Sequence, residues 1–386
     1  MFDMDLTVIP GSRIVEVARL AFATPDVDFL CFGESDQPSP AVGREAAVLA
    51  LEEGDTRYPD VRGLPALRTA LTRYLSGLHA RPVEESRIQV TASGMAALSV
   101  ALAAVVRAGQ RVVVHSPIWP NIPNAAWLRG AVVEQLELTP LADGGFRLDL
   151  DRLDMMMEGA RAFILNSPGN PTGWTATEEE LRAIRDICRR RRAWLISDEV
   201  YSRLVYDGRA AAPSLLDIIE PHERVIVINS FSKTWRMTGW RLGWLVFPEG
   251  SAELMTNLVE VSHSGVAPFV QRAGVAALAD VAGVEQFRAH CAVGRGLATE
   301  ALGGLNGVRY RPPVGAFYAF LAVDGLRDSL DLAKKLVTRH GVAVAPGIAF
   351  GHAGEGWLRV CFAQSAPLME RAMQRLRDGL RAEMGS

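Results

Sequence analysis

Short apolar runs that end in polar or glycine residues recur along the first two thirds of the chain. They are "RIQVTASG", "RVVVHSP", "RAFILNSPGNPTG", "AWLISDEVY" and "RVIVINSFSK". Helix-like segments lie between them, such as "MAALSVALAAVVRAG" and "TEEELRAIRDICRRR", the second with glutamates at its start and arginines at its end. Near-continuous apolar strands that alternate with helices predict an α/β fold, in which helices cover both faces of a mostly parallel sheet.

The pattern changes after about residue 275. Helical stretches such as "VEQFRAHCAVGRGLATEAL" are followed there by strand-like "GAFYAFLAV" and "GWLRVCFA". We therefore predict a large domain over residues 41–275 and a smaller α+β domain over residues 276–386. The N-terminal arm, residues 1–40, is expected to pack with the small domain and to form part of it.

The polar residues that end the apolar runs are the first indication of a functional site. Ser93, His115, Asn166, Asp198 and Ser230 all lie at or just after the predicted strand ends. In open α/β sheets, ligands bind outside the carboxyl ends of the strands. These side chains are therefore expected to converge on one site.

Composition and missing motifs exclude several classes of partner and enzyme. The 386 residues are 49% hydrophobic and 22% charged with a net charge of −3, so a nucleic acid or an anionic membrane is not expected as a partner. The N-terminal segment has no apolar signal core, and the four cysteines are widely scattered, which favours a cytoplasmic protein with reduced thiols. Motifs of phosphate-loop, zinc-hydrolase, serine-hydrolase and dinucleotide-binding enzymes are absent, and no metal site is expected.

Lysine is rare in this chain. The 41 basic residues include lysine only at Lys233, Lys334 and Lys335. The tandem pair lies in "DLAKKLVTRHG", where a solvated helix face is expected. Lys233 lies among serines, aromatics and glycines, where its stem could pack on Trp235 at the surface. The alternative is a desolvated lysine, whose lowered pKa makes it the nucleophilic amine that Schiff-base chemistry needs.

A carboxylate and an anion-binding turn accompany this lysine. Asp198 ends an apolar run, so it needs a cationic partner, which could be a protonated pyridine nitrogen or a structural arginine. Ser93, Gly94 and Met95 join a strand to a helix, where free backbone amides attract anions. Arg241 could add a two-pronged phosphate contact. A lysine, a carboxylate and an anion cradle are together what pyridoxal 5′-phosphate requires.

Several motifs in register resemble one enzyme family. "NSPGNPTG", "SDEVY" and "SFSKTWRMTGWRLGW", in this order, are similar to those of fold-type I pyridoxal-phosphate enzymes, specifically the class I/II aminotransferases. The similarity runs from "GESDQPSP" to "GIAFGHAGEGWLRVCFA" and so covers almost the whole chain. It implies the fold-type I architecture, with a large domain built on a mostly parallel, seven-stranded type of sheet.

The resemblance also implies a role for each matching residue. Lys233 would form the Schiff base, Asp198 would pair with the pyridine nitrogen, Tyr201 and Asn170 would contact the 3′-oxygen, and Trp119 would stack on the ring. The residues expected around the phosphate are Ser93, Gly94, Met95, Ser230, Ser232, Arg241 and, from the neighbouring subunit of a homodimer, Tyr58. The residues expected to bind substrate are Gly33, Asn170 and Arg359, of which Arg359 would hold the α-carboxylate.

The implied function is a ping-pong transfer of an amino group from an L-amino acid to a 2-oxo acid. Some aspartate aminotransferases of this type place a lysine just after the glycine of the phosphate turn, where this chain has Met95. Ile14 and Ile122 are also apolar where the pocket entrance is expected. These residues predict a preference for neutral or aromatic amino acids over aspartate, unless one of the many arginines supplies a cation.

Three alternatives are open at this point. A lyase that cleaves C–S bonds and a cyclopropane-forming synthase of the same fold share the cofactor motifs. A cofactor-sensing transcription regulator would need an added DNA-binding segment.

Overall fold

The computed structural model describes residues 11–385. Its strands are β1 (Asp28–Phe29), β2 (Ile88–Thr91), β3 (Arg111–Ser116), β4 (Val132–Glu137), β5 (Thr139–Pro140), β6 (Phe146–Arg147), β7 (Ala162–Asn166), β8 (Trp194–Asp198), β9 (Val225–Ser230), β10 (Gly243–Val246), β11 (Val308–Arg309), β12 (Tyr318–Val323), β13 (Val342–Ala343), β14 (Ala345–Pro346) and β15 (Trp357–Cys361). Its α-helices are α1 (Arg13–Ala23), α2 (Ala41–Glu52), α3 (Pro65–Leu78), α4 (Gly94–Val105), α5 (Asn121–Leu128), α6 (Leu150–Met156), α7 (Glu178–Arg190), α8 (Phe231–Thr234), α9 (Ala252–His263), α10 (Pro268–Ala279), α11 (Val281–Leu302), α12 (Ser329–His340) and α13 (Ala366–Met384).

A seven-stranded sheet forms the centre of the large unit, in the order β2-β10-β9-β8-β7-β3-β4. β10 runs antiparallel to both of its neighbours, and the pairs among β9, β8, β7, β3 and β4 are parallel. β7, β8 and β9 bury every residue or all but one, as strands do when both sheet faces are covered. The predicted α/β fold with a mostly parallel sheet is confirmed.

Local sequence explains where the covering helices begin. Thr177 caps α7 by accepting from Glu180 N, and the Glu180 side chain accepts from Thr177 N, which completes a capping box. Apolar side chains of α4 pack with Val112, Val114 and Ile164 on one face of the sheet. Helices on the other face surround Val113, Phe163 and Leu195. The two faces of the sheet therefore carry two separate cores.

A second, smaller sheet lies in the C-terminal part, in the order β11-β12-β15-β14, and all its pairs are antiparallel. The N-terminal strand β1 pairs in parallel with β13, and α1 joins the same core as α12 and α13. The described part of the N-terminal arm thus packs with the C-terminal part through α1 and β1. The domain limits at residues 40 and 275 stay a prediction.

Candidate functional site

A cavity of about 420 Å³ opens where β7, β8 and β9 end, between the large sheet and the small one. The predicted site residues that line it are Gly33, Gly94, Met95, Trp119, Asn170, Asp198, Tyr201, Ser230, Ser232, Lys233, Arg241 and Arg359. Parallel strands place their carboxyl ends at one edge of a sheet, which is why residues so far apart in sequence meet here.

Two of the residues to which the resemblance gives a role do not line the cavity, and neither does His115, which was expected to converge on it from a strand end. Ser93 immediately precedes Gly94, which does line it, and the Ser93 hydroxyl caps α4 by accepting from Ala96 N at 3.1 Å. Tyr58 is 93% exposed on the surface of the single chain. A tyrosine this exposed is free to contact another molecule.

Lys233 lies in the short helix α8, directly after β9. Its Nζ donates to Gly33 O at 2.7 Å and lies about 6 Å from the ring centres of Tyr201 and Phe317. Burial of the amine lowers its pKa from 10.5 to about 8. The lysine is therefore desolvated, and the alternative of a surface residue packed on Trp235 is wrong. Lys334 and Lys335 instead form exposed ion pairs with Glu16 and Asp331, as expected for a solvated face.

Asp198 is the last residue of β8 and is buried. The hydrogen bond that its carboxylate accepts comes from Val200 N at 3.2 Å. Burial raises its pKa to about 7, although this N–H and the charge of Lys233 act in the opposite direction. Within residues 11–385 no arginine or lysine forms a salt bridge with it, so the structural ion pair considered from the sequence is not formed. A buried carboxylate without a cation fits a protonated ring nitrogen.

Arg359 projects from β15 and is 2% exposed. Its guanidinium donates to Asn170 Oδ1 at 2.9 Å and to the Cys31 carbonyl, and it stacks on the Tyr318 ring at 4.5 Å from the ring centre. Its Nε has no partner, and no carboxylate of the described chain pairs with it. A buried cation with unused donors suits an anionic ligand such as a carboxylate.

The turn that begins α4 is tightly packed against the sheet. A Cβ at Gly243 would lie 2.6 Å from the carbonyl carbon of Ser93, so only glycine lets β10 approach this turn. Ser230 Oγ donates to Ser232 Oγ at 2.9 Å on the adjacent side of the cavity. Arg241 follows in the left-handed conformation, with φ of 57°, and donates to Thr238 O. Helix amides, two hydroxyls and a guanidinium together can hold a phosphate.

Two further side chains line the cavity: Asn166, which was expected at the site but was given no role, and Tyr318, which was not anticipated. Asn166 ends β7 and makes three contacts: its N donates to His115 Nε2, its Nδ2 donates to Asp198 O, and its Oδ1 accepts from Asn170 N. It thus positions the segments that carry Asp198 and Asn170. Its place at a strand end was visible in the sequence. Tyr318, whose hydroxyl lies 2.7 Å from that of Tyr201, gave no such signal, because every residue of β12 is buried.

The remaining wall of the cavity is largely apolar. Ile14, Val15, Phe32 and Leu98 line it together with Met95. Ile122 does not: it is fully buried in the core beside α4, so the prediction that it lies at the pocket entrance is wrong. An isoleucine looks alike in a core and at a pocket mouth, and only the fold separates the two.

Comparison with known proteins gives matches over almost the whole chain. The model of the family "Aminotransferase class I and II" matches residues 27–376. An aspartate aminotransferase of Pyrococcus horikoshii is 32% identical over 97% of this chain and 96% of its own. An aromatic-amino-acid aminotransferase of Thermococcus litoralis is 32% identical over 97% of both chains. The solved structure of a single mutant of Thermus thermophilus aspartate aminotransferase has 30% identity and a TM-score of 0.89, covering 98% of this chain and 100% of that one.

The fold and the cavity define a fold-type I pyridoxal-phosphate enzyme. The chain belongs to the class I and II aminotransferase family and is a transaminase that uses pyridoxal 5′-phosphate. The buried, unpaired Asp198 and the desolvated Lys233 fit this cofactor. In the part of the chain that the structure describes, no helix is long and apolar enough to cross a membrane.

Proposed function

We propose that this transaminase moves the amino group of a neutral or aromatic L-amino acid to a 2-oxo acid, in two half-reactions at the cavity described above. One observation carries the proposal. Lys233, Asp198 and Arg359 line one cavity, and none of the three forms a salt bridge within residues 11–385. An amine, a carboxylate and a guanidinium held in this way are complementary to an aldehyde, a ring nitrogen and a carboxylate.

The cofactor would be held at both of its ends. Lys233 would bind it covalently, Asp198 would pair with the ring nitrogen, Tyr201 and Asn170 would contact the 3′-oxygen, and Trp119 would cover the ring. The phosphate would lie among Ser93, Gly94, Met95, Ser230, Ser232 and Arg241, with Tyr58 contributed by a second copy of the chain. When bound, pyridoxal 5′-phosphate supplies the electron sink that lets a proton leave the α-carbon of an amino acid.

The protein's own groups would then orient the substrate and move its proton. Arg359 would grip the α-carboxylate through two parallel hydrogen bonds, with Gly33 beside the same group. The Lys233 amine would take the proton from the α-carbon as a general base and return it as a general acid. Because burial brings its pKa to about 8, a substantial fraction of the amine is neutral near physiological pH. Asp198 would keep the ring nitrogen protonated.

The substrate preference is supported by the composition of the cavity wall. Among the residues that the structure describes, the cations that line the cavity are Lys233, Arg241 and Arg359, and each already has a proposed partner. A second carboxylate, such as that of aspartate, would lie near Met95, Ile14 and Leu98 without a counterion. Burying an uncompensated charge among apolar side chains is costly, so a neutral or aromatic side chain suits this wall better.

Assembly and location follow as further parts of this proposal. The exposure of Tyr58 supports a homodimer in which each site receives a tyrosine from the partner. Cys31, Cys188, Cys291 and Cys361 are free and buried, which is compatible with the reduced thiols of the cytoplasm.

Steady-state kinetics with single amino acids would test the proposal. The ratio kcat/KM is measured for phenylalanine, leucine and methionine against aspartate, with 2-oxoglutarate as the acceptor. We expect kcat/KM to be higher for the neutral and aromatic substrates than for aspartate. A clear preference for aspartate would contradict the proposed specificity, and release of ammonia from the donor would indicate a lyase of this fold instead.

A further inference from the structure

Tyr318 makes contacts with three residues of the proposed active site. Its hydroxyl lies 2.7 Å from that of Tyr201, a normal distance between two hydrogen-bonded hydroxyls. The guanidinium of Arg359 lies 4.5 Å from its ring centre. A Cβ added at Gly33 would collide with its hydroxyl oxygen, so Gly33 lets the phenol reach this place. Tyr318 is fully buried and lines the cavity.

Only one of the two hydroxyl hydrogens can lie on the line between Tyr201 and Tyr318. If Tyr201 donated it, the hydrogen of Tyr318 would have no acceptor among the described residues, and Tyr201 would have no hydrogen left for the ligand oxygen that it is proposed to contact. A buried donor without an acceptor costs free energy. If Tyr318 donates, the remaining hydrogen is that of Tyr201, beside a cavity in which a ligand oxygen can accept it.

The surrounding charges also favour Tyr318 as the donor of this hydrogen bond. Burial raises the pKa of both phenols and Arg359 lowers both, but for Tyr318 the guanidinium is the largest influence after burial. The carboxylate of Asp198 raises the pKa of Tyr201. The more acidic hydroxyl is the better donor, so Tyr318 is the natural donor of the pair.

We propose that Tyr318 is a positioning residue, whose hydroxyl donates to Tyr201 and so directs the hydrogen of Tyr201 at the ligand oxygen in the cavity. This inference rests on the proposed contact of Tyr201 with the 3′-oxygen of the cofactor. A hydroxyl that accepts one hydrogen bond also donates a stronger one, so Tyr318 strengthens that contact without touching the cofactor through its own hydroxyl.

The test compares Tyr318→Phe, Tyr201→Phe and the double variant with the wild type. Tyr206→Phe is the matched control, because the Tyr206 hydroxyl also donates one hydrogen bond of 2.7 Å, to Ala316 O, and Tyr206 does not line the cavity. Two quantities are measured for each protein. They are the Kd of the apoprotein for pyridoxamine 5′-phosphate and the pH midpoint of the visible absorbance of the protein loaded with pyridoxal 5′-phosphate.

We expect Tyr318→Phe to weaken pyridoxamine phosphate binding by about threefold, the size of one modest hydrogen bond. The pH midpoint should move upward, because a hydrogen bond to the ligand oxygen favours the deprotonated form, in which this oxygen carries more negative charge. Both effects should vanish in the Tyr201→Phe background, since Tyr318 acts through Tyr201. Tyr206→Phe should lower Tm about as much as Tyr318→Phe does. It should leave the Kd for pyridoxamine 5′-phosphate and the pH midpoint unchanged.

Two results would overturn the inference. One is a pH midpoint and a Kd in Tyr318→Phe equal to those of the wild type, and the other is an undiminished effect in the Tyr201→Phe background. Binding of 3-phenylpropanoate, whose carboxylate probes Arg359, should stay unchanged in Tyr318→Phe because the ring under the guanidinium is kept. A change in this binding would mean that the Tyr318 hydroxyl positions Arg359 and not Tyr201. The wild type's transaminase activity tests the proposed function separately.

Discussion

The amine of Lys233 donates a 2.7 Å hydrogen bond to the carbonyl oxygen of Gly33, a residue 200 positions earlier in the chain. This bond joins the end of the large sheet to the N-terminal arm across the cavity. In addition, the Thr238 hydroxyl donates to Glu34, and Gln364 Nε2 donates to the carbonyl of the same glutamate. The segment after β1 therefore contacts both parts of the molecule directly beside Lys233.

Lys233 should be the residue that borohydride fixes to the cofactor. The loaded protein is expected to be yellow, and peptide mapping after reduction should find the label on Lys233 rather than on Lys334 or Lys335. Lys233→Ala should lose turnover by about four orders of magnitude or more, because nucleophile and proton carrier disappear together. Lys334→Ala is the control and should retain wild-type turnover. A label on either surface lysine would contradict the assignment.

Asp198 should make the heat stability of the apoprotein depend on pH. Its pKa is about 7 in the folded chain, compared with 3.8 for an exposed aspartate such as that of the unfolded chain. Between these two pH values the folded state therefore binds a proton that the unfolded state does not. The stabilisation is complete below about pH 4 and is lost as the pH rises to about 7. Asp198→Asn should therefore have a higher apoprotein Tm at pH 8, by on the order of 5 °C.

The same variant should behave in the opposite way with cofactor present. Asn cannot pair as an anion with a protonated ring nitrogen, so pyridoxal 5′-phosphate should raise Tm less in Asp198→Asn than in the wild type. Equal stabilisation of the two proteins by the cofactor would mean that Asp198 does not contact the ring.

Arg359→Gln should reduce kcat/KM by about a hundredfold to a thousandfold for every amino acid tested. The substitution would remove the proposed charge-assisted, two-pronged contact with the α-carboxylate, a group that all substrates share. Binding of 3-phenylpropanoate should be lost in parallel, whereas cofactor absorbance should remain. A loss confined to one substrate would show that Arg359 contacts a side chain and not the α-carboxylate.

Met95→Lys should raise the ratio of kcat/KM for aspartate to that for phenylalanine by about tenfold or more. The new ammonium would provide the counterion that the apolar wall lacks. Met95→Leu preserves the size and the apolar character of the side chain, and it should leave the ratio near that of the wild type. An unchanged ratio in the lysine variant would place the substrate side chain elsewhere in the cavity.

Tyr58 allows the proposed dimer to be tested by complementation. Tyr58→Ala and Lys233→Ala are each expected to have low activity. If every site combines Lys233 of one chain with Tyr58 of the other, one site of each mixed dimer is intact. Unfolding and refolding the two variants together should then restore about one quarter of the wild-type activity. No gain above the separate variants, or a stable and active monomer in sedimentation, would refute the composite site.

The amino-acid sequence by itself determined the order of strands and helices and the chemistry of the site. The runs that end in Asp198 and Ser230 are strands because continuous apolar side chains are needed between two layers of helices. The parallel arrangement that follows brings strand ends to one edge, so the convergence of Asn166, Asp198 and Ser230 could be anticipated. Lys233 was recognisable because its neighbours give a charged amine little to interact with.

Only the tertiary structure decided which of these groups lack partners. Whether Asp198 pairs with an arginine depends on contacts between residues far apart in sequence, as does the core position of Ile122. The contact between Tyr201 and Tyr318 joins residues 117 positions apart. Tyr201 lies in the turn after β8, Tyr318 begins β12, and a continuously buried strand does not reveal which side chain faces the cavity. Sequence patterns report local periodicity and burial, whereas hydrogen bonds between distant segments follow from how the two sheets are placed against each other.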